Sequence, residues 1–176
     1  MLRGTLTPSE KTGMQTFKKV LIGILALIAL QGCDQLAMRE LKPGISTVTD
    51  VRDWFGAPGQ EWRNDDGSTV LEYSRQPAGT ECFMITIGPD GILRSIDQVL
   101  VEANFARIRN GMSSDEVRRI LGKPASRKTF DLRPETVWAW RIGQDNALSD
   151  PTFFTVTFDN AGRVTGTGRH TEGRNH

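Results

Sequence analysis

Two stretches of this chain carry the same punctuation, and that repetition restricts the fold more than any other feature. In Gly111-Met-Ser-Ser-Asp-Glu-Val-Arg-Arg-Ile-Leu-Gly-Lys-Pro124 both ends of one short helix are written. Ser113 caps the N-terminus, and Glu116, three residues on, reaches back to the cap's N–H as a capping box. Val117, Ile120 and Leu121 form one apolar stripe at i, i+3, i+4. Gly122 is expected to take the left-handed position after the helix, and Pro124 blocks continuation. Gly44-Ile-Ser-Thr-Val-Thr-Asp-Val-Arg-Asp-Trp-Phe-Gly-Ala-Pro58 repeats the signature one residue longer. It predicts a helix from about Thr47 to Phe55 with Val51, Trp54 and Phe55 as its stripe.

After each helix the apolar period changes from 3.6 to 2. Thr69-Val-Leu-Glu-Tyr-Ser74 sets Leu71 and Tyr73 on one face, and Glu81-Cys-Phe-Met-Ile-Thr-Ile87 sets Phe83, Ile85 and Ile87 together. Gly88-Pro-Asp-Gly91 is a turn before a third strand, Ile92 to Gln98. In the second half Glu135–Ile142, Thr152–Phe158 and Arg163–Thr167 follow the same order, with the turn at Asp159-Asn-Ala-Gly162. Offsets between matching positions stay between 66 and 71 residues, the mark of tandem duplication. Each copy also has a short first helix, at about 34–41 with Leu36 and Leu41 inward and at about 104–109. The expected fold is therefore α+β: two tandem units, 41–101 and 102–170, each of two helices on a three-stranded antiparallel sheet. A unit of some 60 residues is marginal alone, so the two should pack on each other.

The N-terminus reads as a signal. Lys18-Lys19 precede eleven apolar residues, Val20 to Leu30, too few for a membrane-spanning helix of about 20 residues but right for a secretory h-region. Residues 1–32 are thus a signal peptide whose start is Met14. Leu30-Gln31-Gly32-Cys33 resembles a bacterial lipobox, which implies cleavage before Cys33 and its acylation. Lipid on Cys33 is the covalent group expected; no cofactor is. Only Cys33 and Cys82 are present, so an acylated Cys33 leaves no internal disulfide, and Cys82 is expected to be a small buried hydrophobe. Residues 33–40 form the lipidated cysteine and tether; 171–176 form a polar tail.

Charge and histidine content exclude several classes. Outside residues 1–32 there are 18 bases and 20 acids, a near-neutral body without a nucleic-acid groove. His170 and His176 are the only histidines and lack metal-ligand or triad spacing. The carboxylates fall at helix starts and turns, Gly166-Thr-Gly168 has no following helix to cradle a phosphate, and no catalytic constellation appears. A non-enzymatic binding protein without a small-molecule substrate is expected. Aromatic residues remain. Trp140, Phe154 and Phe55 are assigned to the core, while Trp54, Trp62, Trp138 and Phe153 are the candidate partner anchors, because Phe153 points opposite to Phe154 and large exposed rings favour interfaces.

Ile108-Arg-Asn-Gly-Met-Ser-Ser-Asp-Glu-Val-Arg-Arg-Ile-Leu-Gly-Lys-Pro124, with Trp138-Ala-Trp140 and Phe154-Thr-Val-Thr-Phe-Asp-Asn-Ala-Gly162, resembles the SmpA/OmlA family, which includes the BamE lipoprotein of the β-barrel assembly machinery. The first half fits more loosely. The resemblance implies the helix-pair-on-sheet fold, an outer-membrane location facing the periplasm, and a role in outer-membrane protein assembly or envelope integrity. The layout of two units is also similar to the β-lactamase inhibitory proteins, which implies an alternative: inhibition or regulation of a periplasmic enzyme. Asp34, directly after the lipidated cysteine, implies instead retention in the inner membrane.

Overall fold

The computed structural model describes residues 36–130, 134–143 and 150–173. The expected signal peptide with Met14, the lipidated Cys33, the sorting residue Asp34 and the tail beyond 173 lie outside the described residues. The chain divides into two compact units, 1–42 and 43–176. In the first, residues 36–40 are helical (α1). Leu41 is buried, but Leu36 is 54% exposed and Ala37 is buried instead. Positions 37 and 41 are one helical repeat apart and share a face; 36 and 41 do not.

The larger unit holds, in order, α2 (Val48–Phe55), β1 (Gln60–Arg63), β2 (Thr69–Ser74), β3 (Cys82–Ile87), β4 (Leu93–Gln98), α3 (Glu102–Phe105), α4 (Ser114–Leu121), β5 (Ser126–Phe130), β6 (Glu135–Gly143), β7 (Thr152–Asp159) and β8 (Val164–Thr171). Its strands form two antiparallel sheets in sequential order, β1 to β4 and β5 to β8. The α+β class and the repeated element order hold, but each sheet has four strands, not three. The additions, β1 and β5, are mostly exposed along their length. As edge strands they need no apolar alternation, so the period that marks the other strands is absent from them.

The capped helices form as their sequences dictate. The Thr47 and Ser113 side chains accept from the Asp50 and Glu116 amides, and each carboxylate accepts from its cap's N–H at 2.7 Å. Each helix start is stitched to the turn before the last strand of its own sheet. Val48 N–H donates to Gly91 O at 2.9 Å and Ser114 N–H to Gly162 O at 3.1 Å; Leu93 and Val164 return bonds to Ser46 and Met112. The last strand pair carries a register shift at the matching place in each sheet, Thr86/Ile87 and Thr157/Phe158. Gly56 and Gly122 have φ of 79° and 74° with ψ of −155° and −166°. Neither is the left-handed helical conformation expected; both lie in an extended, positive-φ region that is essentially glycine's alone.

The first sheet is covered on both faces. On one, Phe55 of α2 meets Tyr73 and Phe83 at ring separations of 5.1 and 5.7 Å, and the Tyr73 hydroxyl donates to Gly56 O. From the other, Cys82 and Met84 enter a cluster with Val117 and Leu121 of α4 and Trp138, Trp140, Phe154 and Val156 of the second sheet. Helix α4 therefore lies between the two sheets, and one apolar cluster joins the halves. Double coverage explains why Leu71–Tyr73 and Cys82–Ile85 are buried without alternation.

Candidate functional site

Alternation along β6 and β7 gives the second sheet two unlike faces. Trp138, Trp140, Phe154, Val156 and Phe158 turn toward α3 and α4, where Phe105 stacks on Phe154 at 4.4 Å and Trp140 Nε1–H donates to the Gly122 carbonyl at 3.0 Å. Val137, Ala139, Arg141, Phe153 and Thr155 point the other way, and none of α2, α3 and α4 packs on them. Cross-strand pairing sets Ser126 and Lys128 beside Ala139 and Val137, and His170 beside Phe153. The Phe153 and His170 rings stack at 5.4 Å. This face holds two depressions, of about 610 and 220 Å³, that share Ser126, Lys128, Phe153 and Glu172. It is the candidate partner-binding surface: an aromatic and aliphatic floor with polar edges, the usual anatomy of a protein interface.

The four aromatic residues singled out from sequence do not gather there. Trp54 is 38% exposed on α2. Trp62, on β1, is half-buried with the Arg118 and Arg119 guanidiniums 6.0 and 5.7 Å from its ring. Trp138 is only 8% exposed, packed on Phe158 with Arg127 4.1 Å over its ring. The expectation of an exposed Trp138 fails, because it shares its strand face with Trp140 and that face meets the helices. Phe153 alone of the four lines the uncovered face.

Two features of the site were not foreseen. Gln76, in the β2–β3 loop, accepts from the Arg141 N–H at 3.0 Å and donates to the Arg141 carbonyl at 2.8 Å. Arg141 Nη1 donates to the Ala78 carbonyl at 2.9 Å. A loop of the first half thus clamps the end of β6, next to the register shift between Arg141 and Gly143. Only the period-2 rule applied to Arg141 pointed this way; the docking of Gln76 had no local signal.

Cys82 is fully buried as expected, and burial, reinforced by the nearby Glu72 carboxylate, pushes its thiol up to about 12; a neutral thiol is a poor nucleophile. Glu72 is buried at the junction of the halves, where Arg118 Nη2 donates to it at 3.2 Å and Nε at 3.4 Å. Burial first, and the Arg118 charge second, lower Arg127 from its ordinary value. Among the described residues no cluster of three or more His, Cys, Asp or Glu side chains is placed to hold a metal ion, and no helix is long and apolar enough to cross a membrane.

Residues 98–168 match the family model of the outer membrane protein assembly factor BamE domain. Among solved structures, the chain is similar to one described as an osmotically inducible lipoprotein, OsmE. The identity is 29%, over 42% of this chain and 76% of that one, with a TM-score of 0.33. It is also similar to a Streptococcus mutans protein described as a β-lactamase inhibitor, at 15% identity over 78% and 95% of the two chains and a TM-score of 0.31. No curated protein matches the chain.

Proposed function

Proceeding from a match to the BamE domain over residues 98–168, we propose that this chain is a non-enzymatic, lipid-anchored protein of the bacterial envelope. It faces the periplasm and binds another envelope protein during assembly of outer-membrane β-barrel proteins. The observation that carries the reading is that domain match. The uncovered face around Phe153 supports it, being a partly apolar surface with no helix among the described residues of its own larger unit to cover it. Cys33 carries the lipid, and three acyl chains exceed what lasting attachment requires. The units 41–101 and 102–170 derive from one duplicated ancestor, as their matching caps and stitches support. The assembly role calls for the outer membrane and Asp34 for the inner; fractionation with and without Asp34→Ser decides between them.

A photo-crosslinker at Phe153 in the acylated protein, activated in intact envelopes, tests the role. Crosslinks to subunits of the β-barrel assembly machinery are expected from that position and not from Trp138. Clean recovery of the protein without any such subunit removes the assembly role. Crosslinking to one hydrolase or transpeptidase instead moves the reading to the inhibitor alternative.

A further inference from the structure

The two halves, alike in their element order, differ at one ion pair. Arg52 and Arg118 occupy the same place in their helices, five residues after the caps Thr47 and Ser113. Glu61 and Arg127 likewise stand on the first strands of their sheets, opposite the equivalent residues Leu71 and Trp138. In the first half the helix cation meets the strand acid, Arg52 Nη2 to Glu61 Oε1 at 2.8 Å. In the second half both positions are arginine. Arg118 turns instead to Glu72 of the first sheet and engages both of its oxygens. Arg127 is exposed and enters no ion pair among the described residues; its guanidinium lies 4.1 Å over the Trp138 ring. Next to Arg118 on the helix, Arg119 sets its guanidinium 5.7 Å from the Trp62 ring centre. Asp115, one turn back, pairs with none of these cations among the described residues. A guanidinium stacked on a ring keeps its in-plane N–H donors free for a carboxylate.

We infer that Arg127 and Arg119 take the side-chain carboxylates of an acidic segment of a partner protein, the one on Arg127 standing where the first half supplies Glu61 itself. The first half indicates the ligand: the same helix-and-strand frame, given an acid at that strand position, closes on a side-chain carboxylate. Arg118 is already taken by Glu72, so Arg127 is the cation left to answer an outside acid. Burial first, and then the Arg118 charge, disfavour the charged form of Arg127, and an incoming carboxylate offsets that second cost. The surface is composite. Trp62 and Glu72 come from the first half and Arg118, Arg119, Arg127 and Trp138 from the second, so a single unit would not build it. Arg127 shares the face of Trp138 and not that of Phe153. This is therefore a second partner site, independent of the one around Phe153.

Fluorescence anisotropy on the full chain tests it, with a labelled, end-blocked peptide of alternating Thr and Glu beside its Thr and Gln counterpart. The Glu peptide is expected to bind about tenfold more tightly than the Gln peptide. Arg127→Gln should weaken the Glu peptide several-fold and leave the melting temperature unchanged, since the residue is exposed. Arg63→Gln removes an equal charge from β1, where strand alternation turns it away from Trp62, and should leave the affinity as it was. Equal affinity for the two peptides, or equal losses from the two substitutions, overturns the site. So does an Arg127-dependent affinity for inorganic phosphate or for vesicles of anionic phospholipid when the Glu peptide does not bind. The Phe153 crosslinks are read separately: their loss removes the assembly reading and leaves this site, and their persistence without Glu-peptide binding does the reverse.

Discussion

Gly56 and Gly122 end equivalent helices in almost the same backbone conformation, yet their surroundings differ. A Cβ on Gly122 would clash with Cys82 Sγ, whereas a Cβ on Gly56 would meet nothing within 4 Å. Gly56→Ala should therefore cost only the backbone term, about 1–3 kcal/mol. Gly122→Ala should cost that and about as much again for the clash. Adding Cys82→Ala to Gly122→Ala should recover the clash and not the backbone strain, all read from urea unfolding. Equal losses at the two glycines would mean that the Cys82 contact is relieved by a shift. The aromatic residues divide in the same way. Trp138→Ala should destabilise by roughly 3–5 kcal/mol as a core truncation. Phe153→Ser, on the half-buried face, should cost far less in thermal unfolding while abolishing envelope crosslinks from neighbouring Thr155.

At the scale of the element, the two capping boxes make acid sensitivity a property of the helices. Asp50 and Glu116 are held below their ordinary values of 3.8 and 4.5, first by the backbone N–H of Thr47 and Ser113 and then by the hydroxyls of the same residues. A lowered carboxyl contributes stability that is complete above the unfolded value and is lost as pH falls through the folded one. The Glu116 contribution should therefore be intact above about pH 4.5 and fade below it. Glu116→Gln removes the charge and keeps an acceptor. Its deficit in melting temperature relative to the wild type should shrink as pH drops below 4.5; a deficit independent of pH would show that the charge does not matter to the cap.

In the larger unit as a whole, the decisive fact is that α4 serves both sheets. Arg118 on that helix is the main partner of Glu72, a carboxylate with no exposed surface. Arg118→Met should cost roughly 3 kcal/mol by leaving a buried charge uncompensated. Glu72→Met combined with Arg118→Met should recover most of that loss, since an apolar pair tolerates burial. Because Cys82 and Met84 share a cluster with Trp138, Trp140 and Phe154, both halves should unfold in one transition, with tryptophan fluorescence and circular dichroism coincident. Two separated transitions would mean that the sheets melt independently.

What the residues dictated by themselves was local and periodic. Capping side chains three positions apart, glycines after each helix and the change from period 3.6 to period 2 were enough for the helix and strand order, the doubling of the unit and the alternation that turns Phe153 away from the core. These effects act within a few residues, so they leave a linear trace. The edge strands β1 and β5 left none, since they bury no continuous stripe, and the burial of Trp138 followed only once its strand face met α3 and α4. The sharing of α4 between the sheets, the Glu72–Arg118 pair and the clamp of Gln76 on Arg141 join residues 46 and 65 positions apart. Such contacts arise from how two finished sheets pack, which depends on the shape of both surfaces at once and not on the order of residues along either.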